Sequence, residues 1–241
     1  MLEPAELELL RDGALQLGVE LDGAQLGKFS LYTSLLLEWN RKFNLTRITD
    51  PREIVLKHYL DSLTCLAAAK FPLDANVVDV GAGAGFPGVP IEIARPDLNV
   101  ALLDSTRKRI AFLEEVVEKL ALAGVSLLLG RAEDAGHDAQ RREFYDIAVA
   151  RAVARMNVLV EYCLPLVRSG GFALLQKGPD AYEELSEARP AITLLGGEIE
   201  KVVTLKLPHS DATRNLVIIR KTLGTPAAYP RRPAVIQREP L

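Results

Sequence analysis

Val77-Val78-Asp79-Val80-Gly81-Ala82-Gly83-Ala84-Gly85-Phe86-Pro87-Gly88 settles the architecture of this chain: an apolar strand runs into spaced glycines and then into a helix. Glycine is required where a backbone takes positive φ or comes close to a ligand. In open α/β sheets the ligand sits beyond the carboxyl ends of the strands. Gly83, Gly85 and Gly88 also satisfy the G-x-G-x-x-G spacing of dinucleotide-binding turns, which is a weak match by itself. Asp79, two residues before the first glycine, separates the alternatives. A carboxylate there accepts from the amino end of a methionine moiety or supports the loop, whereas beside a pyrophosphate it is repulsive. A packing loop with no ligand fits three spaced glycines less well.

Around this loop, residues 76–80, 100–104, 125–129, 147–150 and 172–176 read as strands. Residues 87–94, 107–121, and segments near 156–167 and 180–195 read as helices. Such alternation means a parallel sheet covered on both faces. The end differs: 199–207 and 215–220 read as two strands joined by a turn region at 208–211, so a hairpin adds an antiparallel strand. Residues before 73 read as helices only. Pro4 opens one and Gly18 ends it; Asp22 caps a second with a stripe of Leu26, Phe29, Leu36 and Leu37; Asp50-Pro51-Arg52-Glu53 starts a third running to residue 70. The hairpin ending resembles that of class I methyltransferases more than that of nicotinamide-binding domains. With that analogy the expectation is α/β: a helical extension (1–72), a doubly wound, Rossmann-like class I methyltransferase domain binding S-adenosylmethionine (73–223), and a basic tail (224–241).

Of the 241 residues, 49% are hydrophobic and 25% charged, which is ordinary globular composition. The net charge of −3 argues against a general nucleic-acid binder, but it is unevenly spread. Residues 1–40 hold seven acids and two bases, while 212–241 hold six bases and one acid, so a basic face suited to phosphates is expected at the C-terminal end. Cys65 and Cys163 belong to no C-x-x-C pair, so neither a zinc site nor a disulfide framework is expected and a reducing cytosol fits. No signal peptide and no membrane-span-length apolar run is read.

The strand ends supply the candidate site. Asp104, with Ser105, closes the second strand and suits the ribose hydroxyls of an adenosine, in S-adenosylmethionine or NAD alike; its alternative role is to cap the next helix. Arg131-Ala132-Glu133-Asp134 follows the third strand, where methyltransferases contact adenine. The fourth strand ends at Arg151-Ala152, without the Asn/Asp-Pro-Pro-Tyr of amino-group methyltransferases, and Cys163 lies in an apolar run that suits an inert core thiol. What remains at the mouth is Arg151, an always-charged donor fork.

Together these segments resemble one family over nearly the whole chain: the small-subunit ribosomal RNA guanine-N7 methyltransferases, the glucose-inhibited division protein B or RsmG family. The shared residues are Trp39-Asn40, Asn44-Leu45-Thr46, His58 with Asp61-Ser62-Leu63, Asp79 through Gly88, Leu103-Asp104-Ser105, Lys108-Arg109, Phe112-Leu113, Arg131 through Asp134, Arg151-Ala152, Lys177-Gly178, and Tyr229-Pro230-Arg231-Arg232 with Pro240-Leu241. The family more often has Ser at 82, Leu at 176, and a more basic tail where this chain has Pro233 to Gln237. The resemblance implies methylation of guanine N7 in the 530 loop of 16S rRNA, with cofactor contacts at Gly81, Phe86, Asp104, Ser105, Thr106, Ala132, Glu133 and Arg151. Asp79 and Gly83 join them from the loop reading. His58, Asp61 and Asn40 are expected at the pocket mouth, and Lys177, Arg231 and Arg232 on RNA phosphates. The partner implied is 16S rRNA, in the small subunit or an assembly intermediate, met by a cytoplasmic monomer without metal.

Guanine N7 carries an in-plane lone pair and no proton, so its attack on a sulfonium methyl needs alignment rather than a general base. N7 lies in the deep groove of an RNA helix, so the target must be unpaired or splayed out. Three rivals remain at this point: a methyltransferase acting on another RNA, a protein or a small molecule; a nicotinamide-dependent oxidoreductase using Gly83, Gly85 and Gly88; and a non-enzymatic RNA-binding module.

Overall fold

The computed structural model describes all 241 residues. Helix α1 (Pro4–Gln16) begins in a capping box made by Glu3 and Glu6. Helix α2 (Gly23–Asn40) does the same with Asp22 and Gln25. Asp50 caps α3 (Pro51–Ile54) by accepting from the Glu53 amide at 2.9 Å. The segment then widens into a π-helical turn (Val55–Leu60) before α4 (Asp61–Ala68), so the helix expected from 51 ends two residues short of 70 and is not regular throughout.

Seven strands follow: β1 (Asn76–Val80), β2 (Asn99–Asp104), β3 (Val125–Leu129), β4 (Tyr145–Arg151), β5 (Val167–Lys177), β6 (Gly197–Lys206) and β7 (Thr213–Lys221). Between and after them come α5 (Gly88–Ala94), α6 (Arg107–Leu120), α7 (Ala132–His137), α8 (Met156–Cys163), α9 (Ala181–Leu194) and α10 (Pro233–Arg238). Helix α8 stops earlier than its apolar run because Pro165 cannot donate to a continuing helix; a short 3₁₀ turn leads directly into β5. The sheet order is β3-β2-β1-β4-β5-β7-β6, with the first five strands parallel and β7 antiparallel to both neighbours. Strand order reverses between β1 and β4, which opens a crevice at their carboxyl ends.

Strand residues alternate between two cores. Val77, Leu102, Val149, Leu174 and Ile218 face α1 through α6. Val78, Leu103, Ala148, Leu175 and Val217 face α7 through α9. The 1–72 segment is therefore not an appended unit: Phe29, Tyr32, Leu36 and Tyr59 are fully buried in the same core as the sheet, and the Tyr32 hydroxyl donates to the Ala84 carbonyl inside the glycine loop. Nor is 224–241 a loose tail. The Arg142 guanidinium donates to the carbonyls of Thr225 (2.6 Å) and Tyr229 (2.7 Å), and Ile236 is fully buried. No helix is long and apolar enough to cross a membrane.

Candidate active site

Gly81, Gly83 and Gly85 all adopt left-handed φ (74°, 62° and 94°), the conformation for which the loop needs glycine. Gly81 and Ala82 amides donate to the Leu103 carbonyl at 2.9 and 3.0 Å, tying the loop to the end of β2. The loop, the ends of β2, β3 and β4, and a roof of Leu45, Thr46 and His58 enclose a cavity of about 470 Å³. That is the size range of small-molecule and cofactor sites.

Gly81, Gly83, Phe86, Asp104, Ser105, Ala132, Glu133, Arg151 and His58 line this cavity; Asp79, Thr106 and Asn40 do not. Asp79 is fully buried behind the loop, where one oxygen accepts from the Gly88 amide at 2.8 Å and the other, Oδ1, has no partner. Its carboxyl is pushed up to about 7, first by burial. Of the two roles read for it, loop support is the one with a contact. The exposed Thr106 donates its amide to Asp104 Oδ1 at 2.8 Å, on the helix side. Asn40 acts one step back: its Oδ1 accepts from the Leu45 and Thr46 amides at 2.8 and 2.9 Å, shaping the segment that roofs the cavity. Asp104 braces the loop, accepting from the Gly83 amide at 2.9 Å, and pairs with Arg109 at 3.1 Å.

At the β4 end, Phe86 carries two partners. The His58 ring stacks on it at 4.4 Å and 13°, and the Arg151 guanidinium lies 5.1 Å from its centroid. Arg151 donates to Asp61 Oδ2 at 2.8 Å, and Arg214 donates from Nε to Asp61 Oδ1 at 2.6 Å, so one buried carboxylate holds two guanidiniums. Burial and then the Arg151 charge lower His58 to about 3, leaving a neutral imidazole. Arginine only donates, so Nδ1, 3.5 Å from Arg151 Nη2, is the unprotonated nitrogen, and Nε2 donates to Thr46 Oγ1 at 2.9 Å. Cys65 and Cys163 are buried, and burial raises both thiols. No group of three or more His, Cys, Asp or Glu is placed to hold a metal.

The phosphate-contact residues need correction. Lys177 is committed to Glu184 (2.6 Å) and the Ala154 carbonyl (2.7 Å), with its side chain 10% exposed. Arg231 forks onto the fully buried Glu161 through Nε (2.9 Å) and Nη2 (2.7 Å). Charge counted along a sequence carries no information on burial, and both side chains serve the fold. Arg232 alone of the three is exposed and unpaired. Sequence reasoning missed Val153 and Tyr162 as lining residues, and Arg214 and Gln176 as partners of Asp61. Tyr162 lies in a run read as core, and nothing local marks Arg214.

The family model for rRNA small subunit methyltransferase G matches residues 25–217. The ribosomal RNA small subunit methyltransferase G of Alkaliphilus oremlandii is 47% identical over 234 residues, covering 97% of this chain and 98% of that protein. Its counterpart from Lactobacillus johnsonii is 47% identical over 226 residues, covering 93% and 95%. Among solved structures, a precorrin-6y C5,15-methyltransferase from Geobacter metallireducens superposes with a TM-score of 0.52 at 15% identity, over 67% of this chain and 87% of that one. The [4+2]-cyclase SpnF superposes with a TM-score of 0.54, also at 15% identity, over 68% and 81%. These two likenesses concern the fold alone, whereas the full-length sequence relatives and the family model identify the chain, and set the nicotinamide reading aside. The chain is a member of the rRNA small subunit methyltransferase G family.

Proposed function

We propose that this protein transfers the methyl group of S-adenosylmethionine to N7 of a guanine in the 530 loop of 16S rRNA. The observation that carries the reading is the chemistry of the cavity. It combines acceptors suited to an adenosine with a far end that offers no base and no nucleophile. Asp104 and Glu133 are nearly buried carboxylates on the wall, the acceptors that ribose hydroxyls and an adenine amino group need. Arg151 suits the amino-acid carboxylate. The residues therefore fit S-adenosylmethionine, which supplies an electrophilic methyl on a sulfonium when bound.

His58, lowered to about 3, is a poor base at neutral pH, and neither thiol lines the cavity. A proton-free nucleophile such as guanine N7 needs neither. The chain's contribution is alignment: a glycine loop fixed by three hydrogen bonds from its backbone amides, and the Phe86, His58 and Arg151 stack at the end where the methyl must leave. Around the mouth, Arg131 and Arg109 line the cavity, Arg107 and Lys108 start α6 beside Ser105, and Arg47 follows Thr46. Arg47, Arg107, Lys108 and Arg131 are exposed and form no ion pair, and Lys108 Nζ sits 5.0 Å from the Phe43 centroid. This cationic rim, rather than the tail, suits an RNA backbone. The partner would be the small subunit or an assembly intermediate, met by a monomer in the cytoplasm, where ribosomes form.

The test is methyl transfer from labelled S-adenosylmethionine to small subunits lacking their own 7-methylguanosine, with the modified nucleotide mapped. Label at a guanine N7 in the 530 loop is the expected result. Cofactor binding without label on those subunits overturns the assigned substrate.

A further inference from the structure

Next to the cofactor cavity lies a second one of about 490 Å³, over the carboxyl ends of β4 and β5 and the amino end of the antiparallel β7. The two share His58, Arg151 and Ala152 in their linings. We propose that this second cavity receives the target base and that Arg214 reads the guanine O6. The proposal rests on the guanine-methylating reading above.

The topology places the two cavities on either side of one joint. The first covers β1, β2 and β3; the second continues along the sheet across β5 to β7. A methyl leaving the first at the β4 end passes Arg151 and Ala152, two of the three residues both cavities have in common. Anything positioned to take it in line must lie in the second.

The charge in that cavity is specific. Lys57 and Lys177 each have their own carboxylate, Glu53 and Glu184, both at 2.6 Å. Arg151 and Arg214 share one, Asp61. The surplus positive charge therefore sits at the arginine pair. Gln176 steadies that site from β5, its amide donating to the Asp61 carbonyl (2.7 Å) and Thr64 Oγ1 (3.0 Å). Arg214 is anchored at its root by the Nε bond to Asp61, and its Nη1 donates to the Thr213 carbonyl at 2.9 Å. Its Nη2 has no partner in the protein. A pre-oriented fork with an idle donor, beside surplus positive charge, calls for an acceptor.

Guanine supplies one. Its N7 edge carries two acceptors, N7 and O6, whereas adenine places an amino donor where O6 would be. With N7 given to the methyl, O6 remains for Arg214, and adenine would set donor against donor. The contribution is selection and alignment, not activation, because a cation at O6 opposes the positive charge that the ring gains. The same surplus repels the cationic product and favours its release.

The experiment compares wild type with Arg214→Met and Arg214→Lys on a 530-loop RNA bearing either guanine or 2-aminopurine, which keeps N7 and lacks O6, at the target. Wild type should lose about 10- to 100-fold in kcat/KM on 2-aminopurine, the range for one well-made base contact. Arg214→Met should lose a similar factor on guanine, mainly in KM for RNA, and little more on 2-aminopurine; Arg214→Lys should keep part of the preference. The ratio between bases within one preparation is insensitive to the fraction folded. Equal losses of Arg214→Met on both bases would mean a phosphate contact or a purely structural role and overturn the proposal, as would no loss on either. Wild type that methylates no guanine would overturn the proposed function and this inference with it. Wild type that methylates guanine, with an unchanged base ratio in the variant, overturns this inference alone.

Discussion

Burial acts on Asp79 and His58 in opposite senses, and the two effects meet in one pH window. The Asp79 carboxyl is raised from 3.8 to about 7, so the folded state keeps a proton that the unfolded chain releases above about pH 4. Its contribution to stability is therefore lost as pH rises from about 4 to about 7. His58 is lowered from 6.5 to about 3, so the folded state refuses a proton that the unfolded chain takes up, and stability is lost as pH falls below 6.5. Each is limited to about 1.4 kcal/mol per pH unit. Between about pH 4 and 6.5 they oppose one another. Asp79→Asn should leave His58 unopposed, so that its unfolding free energy drops more steeply than wild type between pH 6.5 and 4.5. His58→Gln should show the reverse, a rise on acidification relative to wild type. Urea unfolding at three pH values reads both, and three parallel profiles would refute the assignment. The sequence marked both residues but not their environments: Asp79 reads as a ligand contact or a loop support from its place before the glycines, and only its burial and the Gly88 amide at the start of α5 decide for the brace.

Between elements, the Asp61 clamp does what no single helix or strand could. It ties α4 to β4 and β7 across 90 and 153 positions of sequence. Asp61 is 4% exposed, and replacing it with Ala would leave two guanidiniums facing each other without a counter-charge. Breaking a buried pair in this way costs about 3 kcal/mol or more. Asp61→Ala should lose that much in equilibrium unfolding; a loss below about 1 kcal/mol would mean that solvent compensates both arginines. Features set by near neighbours were legible in advance. The caps at Asp22 and Asp50 follow from residues three positions apart, and the glycine loop follows from a φ that other residues resist. The closing hairpin was legible too, from alternation and turn chemistry. The clamp was not, because it needs the register that sets Gln176 opposite Arg151 and Leu216, and the π-helical turn that precedes Asp61.

At the scale of the whole molecule, the question is which surface meets RNA. The sequence placed it at the basic C-terminal end, but the folded chain uses much of that charge internally. Arg231 neutralises the buried Glu161, Arg238 pairs with Glu239, and Lys221, fully buried, donates to the Leu164 carbonyl and lies 3.2 Å from Glu143. Truncation after Ala228 would strand the Glu161 carboxylate and remove Ile236 from its site. It should therefore cost about 3–5 kcal/mol of stability and leave the salt dependence of RNA binding nearly unchanged. The rim behaves differently. Arg107 and Lys108 are exposed at the start of α6, and replacing both with Gln removes no ion pair. If each meets a phosphate, the slope of log Kobs against log salt should flatten by about 0.7 per residue on single-stranded RNA, roughly 1.4 for the pair, at unchanged thermal stability. Titrations at four salt concentrations, run on the truncated chain and the double variant together, distinguish the two surfaces. A flattened slope in the truncated chain with none in the double variant would return the RNA contact to the tail and leave the rim as solvated charge.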